Sequence, residues 1–259
     1  QSITIWKKLE TPLAQIKDKK MKRLYLLLTT LFLLYMGCDD ESSCDVELWG
    51  ECYSIAETDS LNLYAEQLTG QIPPEIGKLT NLTYLNLAIN QLAGSIPPEI
   101  GKLTNLTYLN LGYNQLAGSI SPEIGKLTKL IKLNLEYNQL TGSIPQEIVN
   151  LVNMTHLQLW FNQLTGKIPA EIGNLKNLEG LGLANNLFTE EIPTEIGNLK
   201  NLTGLNLSSN QLTGKIPDSL CDIYPNLSFL FSINNNRLCP PYPDCLSGNI
   251  GQQDTSGCN

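Results

Sequence analysis

The sequence predicts an α/β solenoid, in which short parallel strands line one wall and tight turns close the other, and three observations predict it. Leu82, Leu106, Leu130, Met154, Leu178 and Leu202 open six successive units of 24 residues, each close to LTxLNLxxNQLTGxIPxEIGxLxN. Within each unit, leucines alternate with polar residues over a stretch long enough only for a short strand with one buried face. The rest of the unit places Ile100, Leu103 and Leu106, and their equivalents, at helical spacing in a segment too short for a stable α-helix, so 3-10 or single turns are expected.

Taken in chain order, residues 1–20 read as upstream sequence without a fold, because Gln1 is not a start residue and the first Met is Met21. Lys22, Arg23 and the apolar run Leu24 to Met36 follow it. That run is shorter than the ~20 residues needed to span a bilayer as a helix, so residues 21–37 read as a secretory signal peptide. Tyr35-Met36-Gly37-Cys38, followed by Asp39, Asp40 and Glu41, resembles the lipobox of bacterial lipoproteins, with Gly37 and Cys38 matching and Tyr35 and Met36 fitting loosely. The resemblance implies lipidation of Cys38 and a membrane tether through acyl chains, worth ~0.8 kcal/mol per buried methylene. Ordinary cleavage nearby would give a secreted product instead. Residues 38–57 are read as linker and N-terminal cap.

Residues 1–37 carry seven Lys/Arg against two Asp/Glu, which leaves ten against 23 in the rest of the chain. That acidity argues against nucleic acid or an anionic membrane surface as a partner. Apart from Cys38, six cysteines remain: Cys44, Cys52, Cys221, Cys239, Cys245 and Cys258, all flanking the repeats. In an exported chain they imply disulfides that staple the two ends of the stack. Fifteen pairings are open; locality favours Cys44–Cys52 and Cys239–Cys245, leaving Cys221–Cys258. No spacing suits a metal, and no cofactor is implied.

In the unit from Leu82 to Asn105, Leu82, Leu85 and Leu87 form LxxLxL, and Asn90 recurs as Asn114, Asn138, Asn162, Asn186 and Asn210. A column of buried amides can satisfy the backbone of adjacent turns, so these Asn read as a structural ladder. Leu92, Gly94 and Ile96-Pro97 continue the unit, and LxGxIP recurs through Leu212-Gly214-Ile216-Pro217. On these residues the chain resembles the plant-type leucine-rich repeat of polygalacturonase-inhibiting proteins and receptor-kinase ectodomains. The resemblance implies a right-handed superhelix with a parallel concave sheet and a second, lateral sheet from LxGxIP. It covers residues 58–246, with six full repeats over 82–226 plus edge repeats, and residues 239–259 resemble the cysteine-bearing C-terminal cap. Departures are Glu190 in a glycine position, Ser121 for Pro97, and Glu66 for the ladder Asn.

Stacking aligns the positions between leucines into columns. One column holds Tyr84, Tyr108, Lys132 and His156 before Gly180 and Gly204 empty it; a second is nearly all amide, from Asn62 to Asn206. A third holds Ala88, Gly112, Glu136, Trp160, Ala184 and Ser208, and a fourth Ile89, Tyr113, Tyr137, Phe161, Asn185 and Ser209. Exposed Tyr and Trp are enriched at interface hot spots. The sequence therefore points to a non-catalytic recognition module, a monomer with a protein or peptide ligand, whose contacts are Tyr84, Tyr108, Tyr113, Tyr137, His156, Trp160 and Phe161. Rings that merely cover one another are the plainer reading. Carbohydrate binding on the amide and aromatic columns is the alternative, and ice binding through Thr83, Thr107, Thr155 and Thr203 a remote one. Catalysis has little support: His156 is the single histidine, and no nucleophile motif accompanies it. Six N-x-[ST] sequons, at Asn81, Asn105, Asn153, Asn201, Asn206 and Asn226, mostly arise from the repeated NLT.

Overall fold

The structure, a computed structural model, describes residues 44–227 and 230–258. The readings of residues 1–20, of the signal peptide at 21–37 and of Cys38 lie outside the described residues.

Each unit makes three sides. The first is an eight-stranded parallel sheet of three-residue strands, from Ser60–Asn62 through Tyr84–Asn86, Tyr108–Asn110, Lys132–Asn134, His156–Gln158, Gly180–Gly182 and Gly204–Asn206 to Leu230–Ser232. Register is constant: Tyr84 lies opposite Tyr108, Tyr108 opposite Lys132, Lys132 opposite His156, and His156 opposite Gly180. Residues one period apart are therefore physical neighbours. The second side is a six-stranded sheet from Thr69–Gly70 to Leu187–Phe188. It ends two units before the concave sheet does, in the unit where Glu190 replaces glycine. Glu190 has φ 64°, close to the 74° of Gly142 and 78° of Gly166 at the same bend, a conformation that costs a side-chain-bearing residue roughly 1–2 kcal/mol.

The third side is a row of 3-10 turns, Pro74–Lys78, Pro98–Lys102, Pro122–Lys126 and their successors, mostly entered through a proline; Ser121 caps its turn by accepting from the Glu123 N–H instead. Glycine in these turns is a matter of space: a Cβ on Gly77 would come within 2.6 Å of the Glu99 carbonyl, and one on Gly101 within 2.5 Å of that of Glu123. Between the three sides the leucines and isoleucines form one core running from Val46 to Leu246.

The Asn column works as expected of a structural ladder. Asn186 Nδ2 donates to the Leu159, Leu183 and Ala184 carbonyls at 3.0, 3.2 and 3.2 Å, and its Oδ1 accepts from the Leu164 N–H at 3.0 Å. A second ladder sits at the sequon position. Asn81, Asn105, Asn153, Asn201 and Asn226 each donate their side-chain amide to a carbonyl of the preceding unit at 2.9–3.2 Å. Asn177, followed by Leu-Glu and hence no sequon, makes the same bond to the Val152 carbonyl. The hydrogen bond gives the recurring Asn a structural role that does not require the sequon.

Both ends are closed. A hairpin of Val46–Leu48 and Glu51–Tyr53, turning at Trp49-Gly50 with φ 50° and 86°, buries Val46 and Leu48 over the first unit. At the other end the pairing by locality is corrected: Cys221 bonds Cys245 and Cys239 bonds Cys258. Cys221 and Cys245 sit in the 3-10 turns Asp218–Asp222 and Asp244–Leu246, separated by 24 residues, one period. Cys239 instead bridges to Lys215 on another side of the coil, so its nearness to Cys245 in sequence is not nearness in space. Cys44 and Cys52 are disulfide-bonded as well.

Candidate ligand-binding face

The concave wall owes its shape to a kink. The residue before each ladder Asn has positive φ: Ile89 56°, Tyr113 55°, Tyr137 50°, Phe161 52°, Asn185 54° and Ser209 54°. Strict alternation would turn these side chains inward after the buried leucine; the left-handed backbone brings them out. The kink is pinned by backbone bonds to the next unit, Tyr113 N–H to the Glu136 carbonyl at 2.9 Å and Tyr137 N–H to the Trp160 carbonyl at 3.0 Å. Because Ile89 and Ser209 share it, the strain belongs to the repeat and is no mark of a site by itself.

The seven candidate residues fall into two ladders and a wall. Tyr113, Tyr137 and Phe161 stack at ring distances of 4.3 and 4.2 Å, with Trp160 tilted against Tyr137 and Phe161 at 5.9 Å. Tyr113 stays 44 % exposed and Phe161 38 %, while Trp160 is half-buried, its indole N–H enclosed without an acceptor among the described residues. Tyr84 and Tyr108 form the other stack, at 4.5 Å. His156 continues that column beyond Lys132, its Nδ1 2.9 Å from the Thr155 hydroxyl. Burial and the nearby Lys132 lower its pKa, against Glu179, which raises it.

The columns thus do not make one contiguous aromatic patch. Between the ladders lie Asn110, Gly112, Asn134 and Glu136. The amides there are largely committed to the backbone: the Asn110 and Asn134 Oδ1 atoms accept from the Gly112 and Glu136 N–H at 3.0 and 2.9 Å, and Asn110 Nδ2 donates to the Tyr108 hydroxyl at 3.2 Å. Past His156 the missing side chains of Gly180, Gly182 and Gly204 open a groove of about 400 Å³, walled by His156, Gln158, Glu179, Asn206 and Leu230. The sequence signal for this groove is the glycines that empty two columns. Glu136 is a residue that the sequence reading passed over; its signal is being the one acid in a column of small residues and a tryptophan.

A leucine-rich solenoid with an aromatic concave wall is what this geometry defines, and comparison places it. A family profile described as "Leucine-rich repeat region" matches residues 60–184, and one described as "Leucine Rich Repeat" matches 177–199 and 201–223. The chain belongs to the leucine-rich-repeat proteins, and to their plant type. No curated protein matches it at significance. Among solved structures it is similar to the ectodomain of the Arabidopsis thaliana membrane receptor kinase GASSHO1/SCHENGEN3 in complex with CASPARIAN STRIP INTEGRITY FACTOR 2, with 42% identity, 71% of this chain and 22% of that one covered, and a TM-score of 0.67. It is similar also to the plant peptide hormone receptor RGFR1 in complex with RGF2, with 37% identity, 72% and 31% covered, and a TM-score of 0.67. A plant ice-binding protein is similar at 27% identity, with 75% and 72% covered and a TM-score of 0.56. The chain spans less than a third of the length of the two receptor ectodomains.

Proposed function

We propose that this protein is a non-catalytic recognition module that docks a protein or peptide ligand along the concave wall, over Tyr84, Tyr108, Tyr113, Tyr137, His156, Trp160 and Phe161. One observation carries the reading. The Tyr113–Tyr137–Phe161 ladder presents stacked rings on a rigid sheet, Tyr113 and Phe161 open to solvent and Tyr137 half-buried between them, which offers contact area at little conformational cost. Support comes from the neighbours, two of them receptor ectodomains solved with their partners. Carbohydrate binding is less well supported, since the concave amides already serve the backbone and the hydroxyl of Tyr108. Ice binding is also less well supported, since the Thr83, Thr107, Thr155 and Thr203 hydroxyls already donate to backbone carbonyls at 2.9–3.3 Å.

Disulfide-bonded cysteines at both ends fit an oxidising compartment outside the cytosol. A monomer held at the cell envelope by lipid on Cys38, or else secreted, completes the proposal; intact-mass spectrometry of the native protein tests the anchor. To test docking, a random linear-peptide phage library is selected on the immobilised full chain and counter-screened on Tyr137→Ala. Enriched peptides that need Tyr137 uphold the reading. No enrichment over the variant, or retention of a glycan-array polysaccharide lost in Trp160→Ala, overturns it.

A further inference from the structure

Glu136 has an environment that the repeat does not explain. Its carboxylate is half-buried on the concave wall, in a column where the other units have Ala88, Gly112, Trp160, Ala184 and Ser208. One oxygen accepts from Asn134 Nδ2 at 3.1 Å. No cation answers the charge: the ion pairs among the described residues are Lys126–Glu123 and Lys200–Asp222, both elsewhere. Removing a carboxylate from water without a counter-charge is costly, and a site that keeps one is short of a cation.

The surroundings say which cation. The Glu136 side chain leans over Gly112 and, with the Asn110 and Asn134 amides, fills the space of the missing side chain: its Cγ and their Oδ1 atoms each lie 3.2 Å from where a Cβ would be. Glu136 lies between the two ring ladders, near both Tyr108 and Tyr113. Both hydroxyls feel the charge: burial raises the pKa of Tyr108 and of Tyr113, and Glu136 raises each further. The other groups beside it, the Asn110 and Asn134 Oδ1 atoms, are acceptors too, each already taking one backbone N–H. Acceptors and tyrosine rings around an unanswered carboxylate suit a planar cation with many donors, and a guanidinium fits better than the compact, strongly hydrated ammonium.

We infer that Glu136 is the specificity-determining residue of the concave wall, and that the docked segment is an extended peptide that places an arginine between the two tyrosine ladders against this carboxylate. The inference rests on the docking reading above and adds the chemistry of the ligand to it. Burial pushes the Glu136 carboxyl above the usual carboxylate range, so the arginine contact weakens on acidification before exposed carboxylates titrate.

The same library selection, on the full chain, tests it. The expected result is that Tyr137-dependent peptides carry a recurrent arginine, and that their binding falls by more than about tenfold on Glu136→Gln or on replacing that arginine with isosteric, neutral citrulline. Gln keeps the acceptor for Asn134 Nδ2, and an unchanged unfolding midpoint shows that the variant is folded. Tyr137-dependent peptides without a basic preference, or peptides that bind Glu136→Gln as well as wild type, overturn this inference and leave docking standing. Enrichment that survives Tyr137→Ala, or none at all, overturns both.

Discussion

Replacing Asn186 by alanine tests what holds the wall in shape, and its cost can be worked from the bonds. Asn186 is 5 % exposed and makes four hydrogen bonds. Its three carbonyl acceptors each keep a second donor: Leu159 O from Asn162 Nδ2, Leu183 O from Asn210 Nδ2, and Ala184 O from the Phe161 N–H. The Leu164 N–H, by contrast, is left buried and unmatched. One orphaned donor costs about 1–3 kcal/mol and the shared bonds add fractions of that, for a loss of about 3 kcal/mol. At this chain length each kcal/mol moves the midpoint by about 2–4 °C, so thermal unfolding followed by circular dichroism should shift down by about 6–12 °C. Asn186→Asp keeps the acceptor for Leu164 but points a charge at three carbonyl oxygens. It should be worse than alanine at neutral pH and recover on acidification, when the carboxylic acid can donate again. A loss below about 1 kcal/mol for alanine, or an aspartate variant no worse than alanine, would refute the ladder argument.

Further outcomes follow from other sides of the coil. Gly101→Ala forces a Cβ against the Glu123 carbonyl and should destabilise by more than about 1 kcal/mol, whereas Gly204→Ala, with nothing within 4 Å of its Cβ, should be neutral; urea unfolding of both separates space from backbone freedom. Trp160→Ala with Phe161→Ala removes three ring contacts and should cost about 2 kcal/mol, so binding by that variant has to be measured well below its lowered midpoint. Glu136 titrates above its unfolded value, so its protonation stabilises the fold below the ordinary glutamate range, a contribution lost as pH rises through the raised value. Glu136→Gln should therefore be the more stable protein at neutral pH, with the advantage shrinking on acidification through that window in paired melts. Replacing Cys221 and Cys245 by serine opens a 24-residue crosslink and should cost about 3 kcal/mol, with peptide mapping of the wild type returning Cys221–Cys245 and Cys239–Cys258.

What the sequence made legible was whatever repeats. Leu85, Asn90 and Gly94 recur with their neighbours at fixed offsets, so one unit's physics could be read once and copied along the register that Tyr84 and Tyr108 now display. Features that depend on position within the stack were harder. The disulfide partners follow from which side of the coil each cysteine occupies, and locality along the chain misleads once the path turns corners, as Cys239 and Cys245 illustrate. The outward turn of Tyr113, Tyr137 and Phe161 follows from their column. Its cause is the left-handed kink, which period-two alternation does not contain.

Function sits in the opposite class, because a binding site on a repeat protein consists of the residues that break the repeat. Glu136, Trp160 and the glycines at 180, 182 and 204 are such breaks, and so is Glu190. Glu190 has a structural account: it takes the bend of Gly142 and Gly166, in the unit where the lateral sheet ends. Glu136 has only a partial one: it packs over Gly112 and accepts from Asn134 Nδ2, but among the described residues no cation pairs with its half-buried carboxylate. A departure that stabilises the scaffold is read as architecture. One that costs the scaffold free energy has to be compensated by something outside it, and that asymmetry makes Glu136, more than any single ring, the residue on which to test what this wall binds.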